Sequence, residues 1–549
     1  MTKVQAKALA WLAMDPDPNT RSSLQTLIAS ARADDPDASR ELDDCFATRL
    51  AFGTAGIRGA MGPGPNRMNR VVVRQTAAGL AEYLLAHGGG SAVIGHDARH
   101  QSAEFAHDVA AVLAQRGLSA MVLPRALPTP VLAFAIRWLG CAAGVMVTAS
   151  HNPARDNGIK VYLGDGSQIV APADAEISAA IDRVAESNDV SAVPSDAEWI
   201  TLDEQVIDAY VDAATSLVSG STERSIRAVY TAMHGVGGDL LARVFDRAGF
   251  PAVVAVREQQ QPDPDFPTVA FPNPEESGAM DLALALAHSS EVDLIIASDP
   301  DADRCAIGIP DSAAAGWRML SGDEVGWLLG WWMLQRGARG TFAQSLVSGS
   351  MLAAIAASAS VKYRQTLTGF KWISRVPDLA FGYEEALGYC VDPAHVRDKD
   401  GITAALLFAE MAASAKAEGR TVQDLLDQLA VDHGVYATAQ VSVRMANAGL
   451  IAKSMHELRQ HPPTSVGGLA VERLDDLEQP IDGLPPTDGI RFILEGGGRV
   501  IVRPSGTEPK VKCYLQVIEA VHETDIAAAR QAADASLARI ATDARLWLG

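Results

Sequence analysis

The chain has 549 residues, 48% hydrophobic and 21% charged, which supplies apolar material for three or four domain cores and excludes disorder as its main state. Its 46 Lys and Arg against 67 Asp and Glu leave a net charge of −21, so neither nucleic acid nor an anionic membrane is expected as a partner, since both need a basic face. The five cysteines, Cys45, Cys141, Cys305, Cys390 and Cys513, are scattered and form no C-x-x-C pair, which excludes a disulfide framework or zinc ribbon and points to a reduced, cytoplasmic compartment.

The N-terminus carries no long apolar run with a cleavage site, so no leader is expected. The longest charge-free stretch, 340–361, is interrupted by five serines and reads as a strand and an Ala-rich helix rather than a membrane span. In chain order, the first fifty residues read as helical pieces broken at Pro16, Pro18 and Pro36. Strand-like runs then alternate with Ala/Leu-rich helices such as 101–116 and 402–416, the α/β pattern. The first block offers SAVIGHD (91–97), SAMVLP (119–124), AGVMVTAS (143–150) and GIKVYL (158–163) as strands. A second offers RAVYTAM, PAVVAV and DLIIASD, and a third WRML, TFAQSLV, VKYRQTL and DLAFGY. In each block one hydrophobic strand ends at a polar loop, before Ser150, Asp299 and Glu384, where ligands bind in open α/β sheets. The last block, with VYATAQVSV, IRFILEG, GRVIVRP and KVKCYLQV, lacks that pattern and reads as a smaller α+β unit. The expected division is 1–205, 206–312, 313–430 and 431–549.

Four segments carry chemistry. TASHNP (148–153) places Ser150 on a turn after a buried strand, which suits either an exposed nucleophile or a simple turn or helix cap. DPDADR (299–304) crowds Asp299, Asp301 and Asp303 into one loop, a cluster that is costly unless a cation offsets it. It is no EF-hand, because Arg304 stands where Gly is required, and all-oxygen ligands favour a hard ion such as Mg²⁺. GYEEALGY (382–389) offers Glu384 and Glu385 as acceptors for sugar hydroxyls, although a Glu pair also suits a helix start. RPSGTEPK (503–510) has the ingredients of a phosphate grip in Arg503, Ser505, Thr507 and the backbone around Gly506, with a plain turn as the competing reading. The glycine-rich GVGG (235–238) reads as structural.

Taken together, TASHNP, DPDADR and RPSGTEP resemble the α-D-phosphohexomutase superfamily of phosphoglucomutases and phosphomannomutases, over nearly the whole chain from FGTAGIRG (52–59) to RPSGTEPKVKCY (503–514). TLTGFKW, YEEALGY and VRDKDG resemble its phosphoglucomutase-2 and phosphopentomutase-like branch. The resemblance implies three similar mixed α/β domains and a smaller α+β C-terminal domain around a central cleft. It implies a phosphorylated Ser150 that holds one Mg²⁺ together with Asp299, Asp301 and Asp303. His151, Lys160 and Arg58 match positions where proton transfer and charge stabilisation occur. Arg304, Lys371, Glu384, Glu385, Lys399, Arg503, Ser505, Gly506 and Thr507 match substrate-binding positions. Ala386 departs from the pattern, since many relatives have Ser there, which leaves the sugar more open.

The implied activity is exchange of a sugar 1-phosphate and 6-phosphate, of glucose or mannose, through a bisphosphate that also serves as activator. A phosphopentomutase acting between the 1- and 5-positions and a metal-dependent sugar phosphatase are the alternatives. A second phosphate grip at Arg503 argues against the phosphatase, which needs only one phosphate site. Small sugar phosphates are the expected partners, and a monomer or homodimer the expected state.

Overall fold

In a computed structural model of the chain, two of the prolines that break the first fifty residues start helices rather than end them. Pro18 and Pro36 are the first residues of helices Pro18–Arg32 and Pro36–Ala47, which follow Lys3–Met14. Proline lacks an N–H that the first helical turn has no partner for, so it fits there at no cost. Asp17 accepts from Asn19 N, and Asp35 from Asp37 N and Ala38 N, capping both helices. The structure describes residues 2–53, 56–187, 197–218, 220, 223–311, 316–445, 448–504 and 510–547. They divide into one unit of Met1–Met319 with Gly388–Glu410 and another of Leu320–Leu387 with Met411–Gly549.

The first unit holds two sheets of related design. One contains β1 (Ile57–Ala60), β2 (Ser91–His96), β3 (Ser119–Val122), β4 (Ala143–Val147), β5 (Asp156–Leu163) and β6 (Ile200–Thr201), in the order β1-β5-β4-β2-β3-β6. The other contains β7 (Ala228–Thr231), β8 (Val254–Ala255), β9 (Leu294–Ala297), β10 (Ala306–Asp311) and β11 (Gly316–Met319), in the order β11-β10-β9-β7-β8. In both, a central parallel pair (β2 with β4, β7 with β9) is followed by an antiparallel return, β5 beside β4 and β10 beside β9. TASHNP is the connection from β4 to β5, and DPDADR the connection from β9 to β10. The same sheet position therefore presents the serine in one layer and the aspartates in the other. Helices Ser102–Gln115 and Thr129–Leu139 pack on β2 and β4, and all five residues of β4 are buried. That is why β4 reads as an unbroken apolar run instead of an alternating one.

The expected strand WRML turns out differently. Gly316–Met319 pairs antiparallel with β10 and closes the second sheet rather than opening the third. Its tryptophan and methionine gave a strand signal but no information on its partner, which tertiary pairing decides.

In the second unit, β12 (Thr341–Ser345) pairs in parallel with β13 (Lys362–Thr366) and β14 (Leu379–Glu384). Helix Gly322–Gln335 packs on β14, and Met351–Ser358 on β12 and β13. A short β15 (Gly388–Cys390) belongs to the first unit. The chain ends in an antiparallel sheet of β16 (Val435–Arg444), β17 (Ser465–Val466), β18 (Leu469–Asp476), β19 (Ile490–Leu494), β20 (Arg499–Pro504) and β21 (Lys510–Glu519), ordered β16-β21-β20-β19-β18-β17. Its inner face carries Phe492, Val500, Val502 and Val511 against helix Ile526–Trp547, which lies across β16 and β21. Three parallel-cored α/β layers and a fourth, antiparallel one make up the four-domain α/β architecture. No helix among the described residues is long and apolar enough to cross a membrane.

Candidate active site

Ser150 sits in the turn after β4 with φ +51°, a left-handed conformation, and is 4% exposed. Its N–H donates to Thr148 Oγ1 at 2.9 Å, so it closes a turn and caps no helix. That turn rotates the hydroxyl away from the strand, where it donates to Asp299 Oδ2 at 2.8 Å, with His151 Nδ1 3.2 Å away. Thr148 N donates to Gly158 O, and Gly158 pairs with Arg58 on β1. A Cβ at Gly158 would lie 2.6 Å from Ile57 O and 3.0 Å from Thr148 O, so only glycine lets β1 and the serine loop both close on β5.

The three aspartates converge as the spacing predicts. One carboxylate oxygen from each of Asp299, Asp301 and Asp303 lies within 4.8 Å of the others, and all three side chains are buried. Lys160, on β5, donates from Nζ to Asp301 Oδ2 at 2.6 Å and Asp303 Oδ2 at 2.8 Å. Lys399 Nζ lies 3.2 Å from Asp303 Oδ2, and Arg304 Nε 3.9 Å from Asp299 Oδ2. Burial and the two neighbouring carboxylates push the Asp299 carboxyl far above the usual range. Burial is the largest effect on Asp301 and Asp303 as well, but the Lys160 ammonium with the Thr129 hydrogen bond at Asp301, and Lys160, Lys399 and Arg304 together at Asp303, hold both below their ordinary value. Lys160 is raised in turn by those two carboxylates, against its own burial, and stays a cation.

This donor set fits a hard divalent ion. Asp301 Oδ1 and Asp303 Oδ1 are buried with no hydrogen-bond partner among the described residues, and a buried carboxylate oxygen left bare is costly. Lys160 satisfies only the Oδ2 side, so the bare oxygens are where a cation would be held by oxygen alone.

Arg58 donates to Asn152 Oδ1 at 2.9 Å, which brings it into the serine loop. His151 is half-buried, and its desolvation together with the Arg304 and Arg58 charges pulls its pKa well below the ordinary imidazole value. It is therefore a neutral base at physiological pH. The glycine-rich GVGG segment is indeed structural: a Cβ at Gly235 would lie 2.3 Å from Pro300 Cα, so the segment buttresses the aspartate loop.

The second unit assembles the remaining residues. Arg503, at the end of β20, hydrogen-bonds Thr368 Oγ1, and its Nε is buried with no partner among the described residues. Gly369 N donates to Glu384 Oε1 at 2.6 Å, and Lys371 lies in the single turn Phe370–Ile373 that follows. Glu385 accepts from Ser345 Oγ at 3.0 Å and Ser348 Oγ at 2.9 Å, both buried. Ser505, Gly506 and Thr507 lie outside the described residues. Sequence reasoning missed Thr129, Thr368, Ser345, Ser348 and Asp323. Isolated hydroxyls and one acid give no local signal of the contacts they make. Thr129 is an example: its N–H donates to Asp301 O and its Oγ1 to Asp301 Oδ2 at 2.6 Å, which fixes that carboxylate.

Asp323 lies beneath the Glu385 loop and accepts from Gly349 N at 2.6 Å and Tyr383 OH at 3.0 Å. Burial, then the Glu385 charge, pushes its pKa up from 3.8 to about 6. A raised carboxyl contributes stability that is complete below its unfolded pKa and is lost as pH rises through the folded one. Unfolding by urea should therefore become easier for the wild type between pH 4 and 7 relative to Asp323→Asn, by roughly 2–3 kcal/mol. Parallel pH dependences of the two proteins would exclude this effect.

Models of the four domains of phosphoglucomutase/phosphomannomutase match successive segments of the chain. Alpha/beta/alpha domains I, II and III match residues 49–188, 208–312 and 321–433, and the C-terminal domain matches 441–533. A probable phosphomannomutase of Haemophilus influenzae is 48% identical over 454 residues, covering 82% of this chain and 92% of its own length. Human phosphopentomutase is 33% identical over 569 residues, covering 94% and 91%. A crystal structure described as a putative phosphomannomutase from Thermus thermophilus shares the fold, with a TM-score of 0.69, 24% identity and coverage of 90% of this chain and 99% of its own.

Proposed function

The chain belongs to the phosphoglucomutase/phosphomannomutase family, and from that membership we propose how its residues divide the work of a sugar phosphomutase. It is an isomerase of the phosphohexomutase kind. The proposal is that Ser150 carries the phosphoryl group between the 1- and 6-positions of glucose or mannose by way of a sugar 1,6-bisphosphate, which also primes the enzyme. The observation that carries it is the Ser150 hydroxyl 2.8 Å from a carboxylate of a buried three-aspartate cluster, the pairing a metal-assisted phosphoryl acceptor needs.

Segments 1–205, 206–312, 313–430 and 431–549 then take the phosphoserine, the metal, the sugar and the second phosphate respectively. Asp299, Asp301, Asp303 and an oxygen on Ser150 would hold one Mg²⁺, which when bound neutralises charge on the transferring group. When Ser150 receives a phosphoryl group, an O–P bond forms at Oγ, the O–P bond to the sugar breaks, and the hydroxyl proton passes to the sugar oxygen. Two acceptors face that proton, Asp299 Oδ2 and His151 Nδ1. His151 is the acceptor proposed to relay the proton, since Asp299 is one of the carboxylates that would hold the metal. Lys160 is held as a cation by two carboxylates, so its role is charge stabilisation, which it shares with Arg58.

Glu384 and Glu385, with Lys371, would bind the sugar, and Lys399 and Arg304, which lie beside the aspartates, would bind the substrate's phosphate. Arg503, Ser505, Gly506 and Thr507 would hold the phosphate that is not reacting. The Nε of Arg503, which has no partner among the described residues, supports this, since a buried guanidinium donor calls for an acceptor. Arg503→Ala should cost roughly 1.5–3 kcal/mol, ten- to hundredfold in kcat/KM, equally from glucose 1-phosphate and from glucose 6-phosphate. A loss in one direction only would mean a single fixed phosphate site and would defeat the two-orientation scheme.

The second reading is a pentose 1-phosphate to 5-phosphate exchange. It is favoured by the human phosphopentomutase match over 94% of the chain, and Ala386, which offers no hydroxyl, leaves the sugar open. Side-by-side coupled assays of glucose, mannose and ribose 1-phosphates with matched bisphosphates decide between them.

A further inference from the structure

The loop that carries Ser150 hangs on one side chain. Arg99, three residues after the end of β2, is 4% exposed and sends its guanidinium beneath residues 150–156. Its Nη2 donates to Ser150 O and Asn152 O, each at 2.6 Å, and its Nη1 to Pro153 O at 2.8 Å and Asp156 O at 3.2 Å. Four main-chain carbonyls of the loop thus converge on one planar fork. The fork is itself aimed: Nε lies 3.3 Å from Asp97 Oδ2, and the guanidinium carbon is 4.9 Å from the centre of the Phe266 ring, which it overlies. Asp97 is locked in turn by Arg99 N at 3.0 Å and Ser102 Oγ at 2.6 Å.

We infer that Arg99 is the positioning residue of the phosphoryl carrier, holding the Ser150 loop in the one conformation that aims Oγ at the aspartate cluster. The inference rests on Ser150 being that carrier. Ser150 O is buried, and without the fork it and the partly buried carbonyls of Asn152 and Asp156 lose this donor at once, so the loop must rotate to find other partners. Rotation would swing Oγ, because the left-handed φ of Ser150 is sustained only by its surroundings. The fork's permanent charge also lies under a loop that would carry a doubly charged phosphoserine. Lysine cannot replace it, since one ammonium presents three donors from a single point and cannot reach four carbonyls in a plane. Arg99 touches no reacting atom of the serine and acts through the main chain alone.

The test is Arg99→Lys, with Phe266→Leu as a milder variant that removes the ring beneath the guanidinium but no hydrogen bond. Each protein is charged with glucose 1,6-bisphosphate and followed by intact mass, comparing phosphoryl transfer to glucose 1-phosphate with loss of the phosphate to water. Arg99→Lys should keep KM within about twofold, lower kcat by roughly ten- to hundredfold, and shift the partition toward water by about tenfold, since a misaimed group loses its acceptor before it loses its substrate site. Phe266→Leu should move the same quantities in the same direction by a smaller factor, and it carries the test if Arg99→Lys does not fold. An unchanged kcat and partition overturn the inference, as does a lower melting temperature with the partition unmoved, which would make Arg99 a scaffold residue only. If the wild type itself takes up no phosphate on Ser150, the carrier reading fails and the inference falls with it.

Discussion

Ser150→Ala is expected to abolish mutase turnover while leaving the fold intact. Among the described residues the Ser150 side chain makes two polar contacts, to Asp299 and His151, and the turn is held by Thr148 Oγ1 on the serine N–H, which alanine keeps. A covalent carrier cannot be replaced by water without converting transfer into hydrolysis, so the loss should reach the background of the assay rather than a fixed fraction. Intact mass after incubation with glucose 1,6-bisphosphate should show one added phosphate on the wild type and none on the variant. Phosphate appearing on another residue, or turnover by the alanine variant, would remove Ser150 from its role.

Asp301→Asn is the second large effect. Asp301 Oδ2 accepts from both Lys160 Nζ and Thr129 Oγ1, while Oδ1 is bare and buried. Taking away its charge removes one of the three negative charges proposed to hold the cation and leaves the Lys160 ammonium with the Asp303 carboxylate at 2.8 Å. Weaker neutralisation of the transferring group should lower turnover by roughly hundredfold or more even at saturating Mg²⁺, and breaking the buried ion pair from one side should separately cost the fold about 3–5 kcal/mol. Binding can be read without activity: Mg²⁺ should raise the melting temperature of the wild type in proportion to the logarithm of its concentration, and that of the variant little. An unchanged Mg²⁺ response would make the loop a structural turn.

How far the sequence alone could reach is clear from particular residues. Alternation of apolar runs with Ala/Leu-rich stretches was enough for the α/β class, because burial on both faces of a parallel strand leaves a local signature, as in the wholly buried β4. The serine and aspartate loops were legible for the same reason, since each directly follows such a run. That Ser150 and Asp299 each follow a hydrophobic strand was legible too, but that each of those strands is followed by an antiparallel return was shown by the structure. The partner of Gly316–Met319 could not, nor could β17 and β18, since the largely exposed run LAVERLDD of β18 is too polar to mark a strand. Pairing depends on residues far away in the chain, and an edge strand with one wet face carries little apolar signal.

The site divides along the same line. Its ion-binding and nucleophilic residues are local in sequence: three aspartates within five positions, and a serine in a six-residue motif. Spacing marked the aspartate cluster, because crowded like charges are costly wherever they fold, whereas the expected role of the serine came from the family resemblance. Tertiary structure alone decided what the charges do. It set Lys160, 141 positions before Asp301, against two of the carboxylates, and so made it a fixed cation rather than a base. It brought Arg99 under the serine loop from 51 positions away. Hydrogen bonds and ion pairs act over a few ångströms, so a residue's role is settled only when folding brings its partners within that range.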